Sequence, residues 1–221
     1  MLAFLEYLEE ERHNTVRSRN ARLASIRSFL RFAVLQEPAA LPTIHRVLAI
    51  LLKRCDKPLL GYLTRDEIQA ILSAPDTATW PGRRDHALLL TLYNTGARVS
   101  EAAGITVADV TFEGSASIRI HGKGRKDRLV PLWRTTMQQI REWLPEVNSA
   151  PERPLFPSRF GSPLTRSAIT ERLQRAVRSA TATCPQLAGR RISPHTLRHS
   201  TAMHLLQSGV DISVICSVVG T

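Results

Sequence analysis

The chain has 221 residues, enough for one good-sized core or for a small domain joined to a larger one. With 43% hydrophobic and 22% charged residues its composition is globular, which excludes wholesale disorder. Its 30 Lys+Arg against 19 Asp+Glu give a formal net charge of +11, which favours a polyanionic partner, nucleic acid first.

Met1 to Glu10 has no basic region ahead of its apolar residues and turns acidic after them, so it is not a signal peptide. Thr15 begins a predicted helix with Leu23, Ile26, Leu30 and Val34 at helical spacing and Arg19, Arg27 and Arg31 largely off that stripe. Two readings stand for these arginines: the solvated basic face of a small bundle, or a face turned to DNA phosphates. The aliphatic runs Val47 to Leu52 and Ala87 to Leu90 fall far short of the roughly 20 residues that cross a bilayer, so no membrane partner is expected.

At Lys57-Pro58-Leu59-Leu60-Gly61 a basic stretch containing Pro and Gly separates two helical patterns, dividing the chain into residues 1–57 and 58–221. Thr64 and Glu67 then form the sequence signature of a capping box ahead of Ile68 and Ile71. Asp85 is expected to cap the run His86 to Tyr93, Gly96 to interrupt it, and Arg98 to Glu101 to restart a helix. Past Gly104 the period changes. Ser117 to His121 alternates with period two, Gly122-Lys123-Gly124 marks a turn, and Arg128 to Leu132 returns, giving a hairpin whose basic tip includes Lys126. Helices resume at Thr135 to Leu144 and Leu164 to Ala180. The fold class expected is mainly α with a small antiparallel β-hairpin or sheet (α+β).

The densest chemistry lies in "ISPHTLRHSTAMHLL", residues 192–206. Ser193 can cap a helix, Pro194 suits its first position, and Ile192 and Leu197 stand where a hydrophobic staple would place them. His195 and Arg198 then share one face of the first turn, beside free backbone N–H groups and the positive end of the helix dipole, a ready anion site. Each element alone also fits a duller role. His195 could be a surface residue, Arg98 a partner for Glu101, and Lys123 part of a solvated turn.

In combination, "TGARVSE" (95–101), "HGKGRKDRLVPL" (121–132) and "PHTLRHSTAMHLL" (194–206), in this order behind a small basic helical domain, resemble the tyrosine recombinases, the phage-integrase and Xer-like site-specific DNA recombinases. The resemblance implies a core-binding helical domain at 1–57 and a recombinase catalytic domain at 58–221. It implies that Arg98 and Arg198 are the two arginines that clamp a scissile phosphate, that Lys123 protonates the leaving 5′ oxygen, and that His195 assists proton transfer. Glu101 would brace the arginine. No ATP, metal or other cofactor is needed, in keeping with the missing phosphate-cradling loop and with Cys55, Cys184 and Cys216, three scattered thiols of a reduced, cytoplasmic protein. The implied partner is double-stranded DNA, with self-association on it as a tetramer, and Arg19, Arg27, Arg31, Lys126 and Arg128 are the expected DNA-facing residues.

The family also implies a Leu-Gly-His (or Trp) element and, beyond it, a nucleophilic tyrosine. Here Val219-Gly220-Thr221 stands at that element, and Tyr7, Tyr62 and Tyr93 all precede Arg98. The expectation is a chain truncated before its nucleophile, able to bind DNA but not to form the covalent intermediate alone, with Val214, Ile215 and Val218 left exposed. The alternative is a DNA-binding regulator that reads DNA through a helix-turn-helix at 197–220. The segment Ile212 to Val219 argues against it, having no Arg, Lys, Asn or Gln to meet base edges. RNA binding is a third and weak reading, with aromatics at 5% and no aromatic-rich strand motif.

Overall fold

The computed structural model describes residues 1–54, 61–122, 124, 127–147 and 150–220. The chain divides into two compact units, Met1–Leu59 and Leu60–Thr221. The boundary expected between residues 57 and 58 lies outside the described residues.

In the first unit, helices α1 (Leu2–Glu10), α2 (Val16–Gln36) and α3 (Leu41–Leu48) accompany a small core of Leu5, Leu8 and Leu23, with Ile50 packed against it. Thr15 caps α2 by accepting from the Ser18 N–H at 3.2 Å. The expected separation of arginines from the apolar stripe fails in α2. Arg19 stands one turn before Leu23 on the same face and is only 5% exposed. Its guanidinium donates to Asn20 Oδ1 and to the Leu51 carbonyl, fastening α2 to the segment after α3. Arg27, one turn after Leu23, is half-buried, and only Arg31 of the three is exposed. A long aliphatic stem lets an arginine lie along an apolar stripe while its head reaches backbone acceptors, so Arg19 leaves the DNA-facing set.

The second unit opens with α4 (Arg65–Ser73), where Thr64 Oγ1 accepts from the Glu67 N–H at 3.2 Å and Glu67 accepts from the Thr64 N–H at 2.8 Å, the reciprocal cap that the spacing predicts. Helix α5 (Trp80–Thr95) begins earlier than the sequence suggests: Thr79 is its cap, and Asp85 lies inside it, accepting from the buried Arg84 at 2.9 and 2.8 Å. Gly82 permits this early entry, because a Cβ there would stand 1.8 Å from the Asp76 carbonyl oxygen. Gly82→Ala is therefore expected to cost about 1–3 kcal/mol through overpacking. Urea unfolding reads this as a lower midpoint; an unchanged midpoint would mean that the Asp76 turn gives way freely.

After α6 (Val99–Ala103) come β1 (Val110–Thr111), β2 (Ser117–His121) and β3 (Asp127–Pro131), an antiparallel sheet in the order β1-β2-β3. The hairpin register sets Ile118 opposite Val130 and Ile120 opposite Arg128. Ile118, Ile120 and Val130 are buried, while Arg119, His121 and Leu129 point outward, as a period of two demands. Helices α7 (Arg134–Trp143), α8 (Arg166–Ala180), α9 (Pro194–Gln207) and α10 (Ile212–Val219) complete the unit. The fold is thus mainly α with a small three-stranded antiparallel sheet.

Polar bonds fix α9 on α5. The Thr201 hydroxyl donates to the Tyr93 carbonyl at 2.7 Å, and the Tyr93 hydroxyl pairs with His204 Nδ1 at 2.7 Å. The apolar exposure expected of α10 is mostly absent: Ile215 and Val219 are buried and Val218 packs against the core, leaving Val214 and Ile212 open. Among the described residues no helix is long and apolar enough to cross a membrane.

Candidate functional site

Three arginines from separate segments meet at the C-terminal end of α10. Gly96 closes α5 in the left-handed conformation (φ 57°), which turns the chain so that Arg98 becomes the N-cap residue of α6. Arg98 Nη2 donates to the Gly220 carbonyl at 2.8 Å. Arg198, on α9, donates to the same oxygen at 3.0 Å and to the Gly96 carbonyl at 2.6 Å. Arg128 of β3 donates to the Val218 carbonyl at 2.8 Å. Gly220 is also left-handed (φ 75°), and a Cβ there would approach Arg128 Nη1 to 2.9 Å. A bare backbone is what lets this carbonyl slip between the guanidinium groups.

One carboxylate ties the cluster together. Glu101, its side chain 5% exposed, accepts from Arg98 Nη1 and Arg128 Nη2, both at 2.8 Å, and from the Arg98 backbone N–H at 2.9 Å. Burial pushes its pKa up, but the bonds from Arg128 and Arg98 prevail and hold it below the usual carboxylate range. Arg198 shows the opposite balance. Burial first, then the positive charges of Arg98 and Arg128, lower its pKa to about 10 against the partial compensation of Glu101. Arg198 stays charged at neutral pH, and the site holds more positive charge than its carboxylate cancels.

Arg98, Glu101 and Arg128 line, with His121, Asp127 and Gly220, an open cleft of about 730 Å³. Arg98 offers its side chain to this cleft, 44% exposed, while that of Arg128 is 13% exposed. Preorganised guanidinium donors around an open cleft form a receptor for an oxyanion. At the start of α9, the helix that carries Arg198, Ser193 caps by accepting from the Thr196 N–H at 3.3 Å, and Pro194 takes the first helical position. His195 lies exposed on that first turn, three residues before Arg198.

Residues 61–220 match the phage integrase family. The chain belongs to that family. Over 220 residues it is 44% identical to the putative integrase/recombinase y4rC of Sinorhizobium fredii, covering 100% of this chain and 66% of that one, a little under two thirds of the relative's length. It is 32% identical over 228 residues to the tyrosine recombinase XerC of Chlamydia caviae, covering 99% of this chain and 68% of the relative. In structure it is similar to the XerH site-specific recombinase bound to a palindromic difH substrate in a post-cleavage complex, with a TM-score of 0.72 at 23% identity, covering 99% of this chain and 65% of that one. At that identity the likeness concerns the fold.

Within this integrase-family chain, the structure brings Arg98 and Arg198 onto one acceptor and sets His195 a single turn from Arg198. Lys123, Lys126 and Thr221 lie outside the described residues. Arg128 departs from its expected place among the DNA-facing residues: it points inward to Glu101 and Val218. The sequence carried a signal for this. Arg128 lies two residues before the buried Val130 and opposite the buried Ile120, so strand alternation puts it on the inner face. The carbonyls of Gly96 and Gly220 were not anticipated, since a backbone acceptor leaves no mark in residue type.

Proposed function

We propose that this chain is the phosphate-gripping part of a site-specific DNA recombinase: it binds duplex DNA, and Arg98 and Arg198 together hold the non-bridging oxygens of one backbone phosphate. The observation that carries this reading is the single Gly220 carbonyl oxygen on which both guanidinium groups converge. A partial negative charge already sits where two forks point, and a phosphate oxygen suits the same donors better. As charge grows on the pentacoordinate phosphorus, fixed cations stabilise it without reorganising. In this reading His195 serves proton transfer beside Arg198, and Lys123 protonates the leaving oxygen. Assembly of several copies on DNA belongs to the same reading.

The DNA footprint shifts from α2 toward the second unit. Arg166, Gln174 and Arg178 are exposed at helical spacing on α8. Gln174 and Arg178 also line a groove with Arg190, Arg191 and Ser193, which leads to the start of α9.

Strand cleavage also needs a nucleophile, and neither tyrosine of the second unit lines the arginine cleft. Tyr93 is 9% exposed with its hydroxyl on His204, the Tyr62 hydroxyl accepts from Gln207, and Tyr7 belongs to the first unit. The 221-residue polypeptide incubated with a nicked duplex is therefore expected to bind with no covalent adduct. Its log affinity should fall with log salt by about 0.9 per phosphate contacted. Salt-independent binding would sink the phosphate reading, and a phosphotyrosyl adduct would sink the claim that binding here is non-covalent.

A further inference from the structure

The root of the β2–β3 hairpin, two residues before Lys123, holds a cluster that phosphate gripping leaves unused. His121 ends β2 and stands opposite Asp127, which begins β3. Its Nδ1 lies 3.0 Å from Asp127 Oδ1, and its Nε2 lies 2.9 Å from Asp109 Oδ1. Asp109 belongs to the 3-10 turn Val107–Asp109, just before β1, and its side chain is 8% exposed. Its second oxygen accepts from the Thr106 N–H at 2.9 Å and from the Thr106 hydroxyl at 2.8 Å. One carboxylate is thus anchored in the body of the unit, while the other, 47% exposed, rides on the far limb of the hairpin. A neutral imidazole has one N–H and one acceptor nitrogen, so it can satisfy only one of these carboxylates; the imidazolium satisfies both.

We propose that His121, held as an imidazolium between Asp109 and Asp127, latches the root of the β2–β3 hairpin, joining its two limbs to the body of the unit in the wall of the arginine cleft. Its bearing on a bound phosphate rests on the phosphate-gripping reading; the latch itself does not. His121, Gly122 and Asp127 line the same cleft as Arg98 and Arg128, so the latch sits in the wall of the proposed phosphate site.

The groups facing His121 are Asp109 from the 3-10 turn and Asp127 from β3, then, across the cleft, Arg98 and Glu101 of the α6 region, Arg128 of β3 and the Cys216 thiol of α10. The two arginines oppose an extra positive charge, and Glu101 is already engaged by both of them. The bonds to Asp109 and Asp127 are stronger than that opposition and hold the imidazole above its ordinary value, with slight burial working the other way. Asp109, which burial alone would push up, is held below the carboxylate range by Thr106 and His121. A histidine raised on folding contributes fully below about pH 6.5, and its contribution is lost as pH rises through the raised value. The latch is therefore closed in mild acid and released toward alkaline pH.

The test uses the whole chain without DNA, following the His121 ring by NMR and the exchange of the hairpin amides between Ile118 and Val130, corrected for intrinsic rates. The ring should titrate above an ordinary imidazole and return toward it in Asp127→Asn. Protection of the hairpin amides should fall between about pH 6.5 and the midpoint of the ring, by about tenfold for each pH unit that separates the two. His121→Gln should show no such step; if it does not fold, Asp127→Asn, whose carboxylate is half exposed, should show a diminished one. A ring titrating at or below the ordinary value, or a step that survives in both variants, overturns the latch. Duplex binding by the native chain is scored separately. A normal latch in a chain that does not bind DNA sinks the phosphate reading alone, and DNA binding with no latch sinks only this inference.

Discussion

Glu101→Ala is expected to lower the stability of the second unit by about 3–5 kcal/mol, because it strands a buried guanidinium without its counter-charge. The carboxylate is 5% exposed and is the meeting point of Arg98 and Arg128, each at 2.8 Å. Arg98 has solvent to turn to, at 44% side-chain exposure, but Arg128, at 13%, does not. Without Glu101 the three guanidinium groups repel one another around the Gly220 and Val218 carbonyls, and Arg198 loses the one charge that keeps its pKa from dropping further below about 10. In a unit of this size a loss of that order lowers the thermal midpoint by roughly 10 °C, which calorimetry would resolve. A midpoint within a few degrees of the native one would mean that solvent, not Glu101, screens the cluster.

The same carboxylate fixes a pH signature. Its folded pKa lies below the usual 4.5, so its contribution is present above that value and is lost as pH falls through the depressed one. Native chain and Glu101→Ala should therefore converge in stability in strong acid and separate above about pH 5. His121 works in the reverse direction, gripping in mild acid and releasing on the alkaline side. The two groups line one cleft, so the window in which both contributions are complete runs from just above the carboxylate range to about pH 6.5.

Much of the fold was legible because its signals are local. The Thr64–Glu67 box, Ser193-Pro194 and the alternation of Ser117 to His121 each span a few residues and need no partner far away in the chain. β1 escaped notice because two residues are too few to show a period. Arg19 was misplaced because a charged side chain was assigned to solvent, although four residues before Leu23 is the apolar face of α2. The site was legible only in part. Motif order put Arg98 and Arg198 in one reading, but their convergence depends on how α9 packs on α5 and on two left-handed glycines, one of which lies 102 residues from the arginine it anchors. The His121 latch was hidden for a related reason: Asp127 lies within the hairpin motif, but Asp109 lies outside every motif and is brought to His121 across 12 residues by sheet pairing.

Arg198→Met is expected to weaken duplex binding by roughly 10–100-fold while leaving the thermal midpoint nearly unchanged, the reverse of the Glu101→Ala result. In the native chain Arg198 is held at a cost: burial and the neighbouring arginines lower its pKa to about 10. After allowance for solvent screening, that displacement is on the order of 2 kcal/mol of unfavourable interaction, which methionine removes while keeping an unbranched stem of similar reach. Against this stands the loss of two bonds. Gly220 keeps Arg98 as its donor, so only the Gly96 carbonyl is orphaned, at about 1–3 kcal/mol. The two terms nearly cancel for folding, but nothing replaces the fork for a phosphate. The salt slope should fall by about one, the signature of one lost phosphate contact. Arg198→Lys should recover charge but not the fork, restoring part of the slope and less of the affinity. Combining Arg98→Ala with Arg198→Met should then cost less than the sum of the single losses, because both groups address one phosphate and removing either already breaks the grip. Strict additivity would place the two arginines on different phosphates and dissolve the site into a general basic surface.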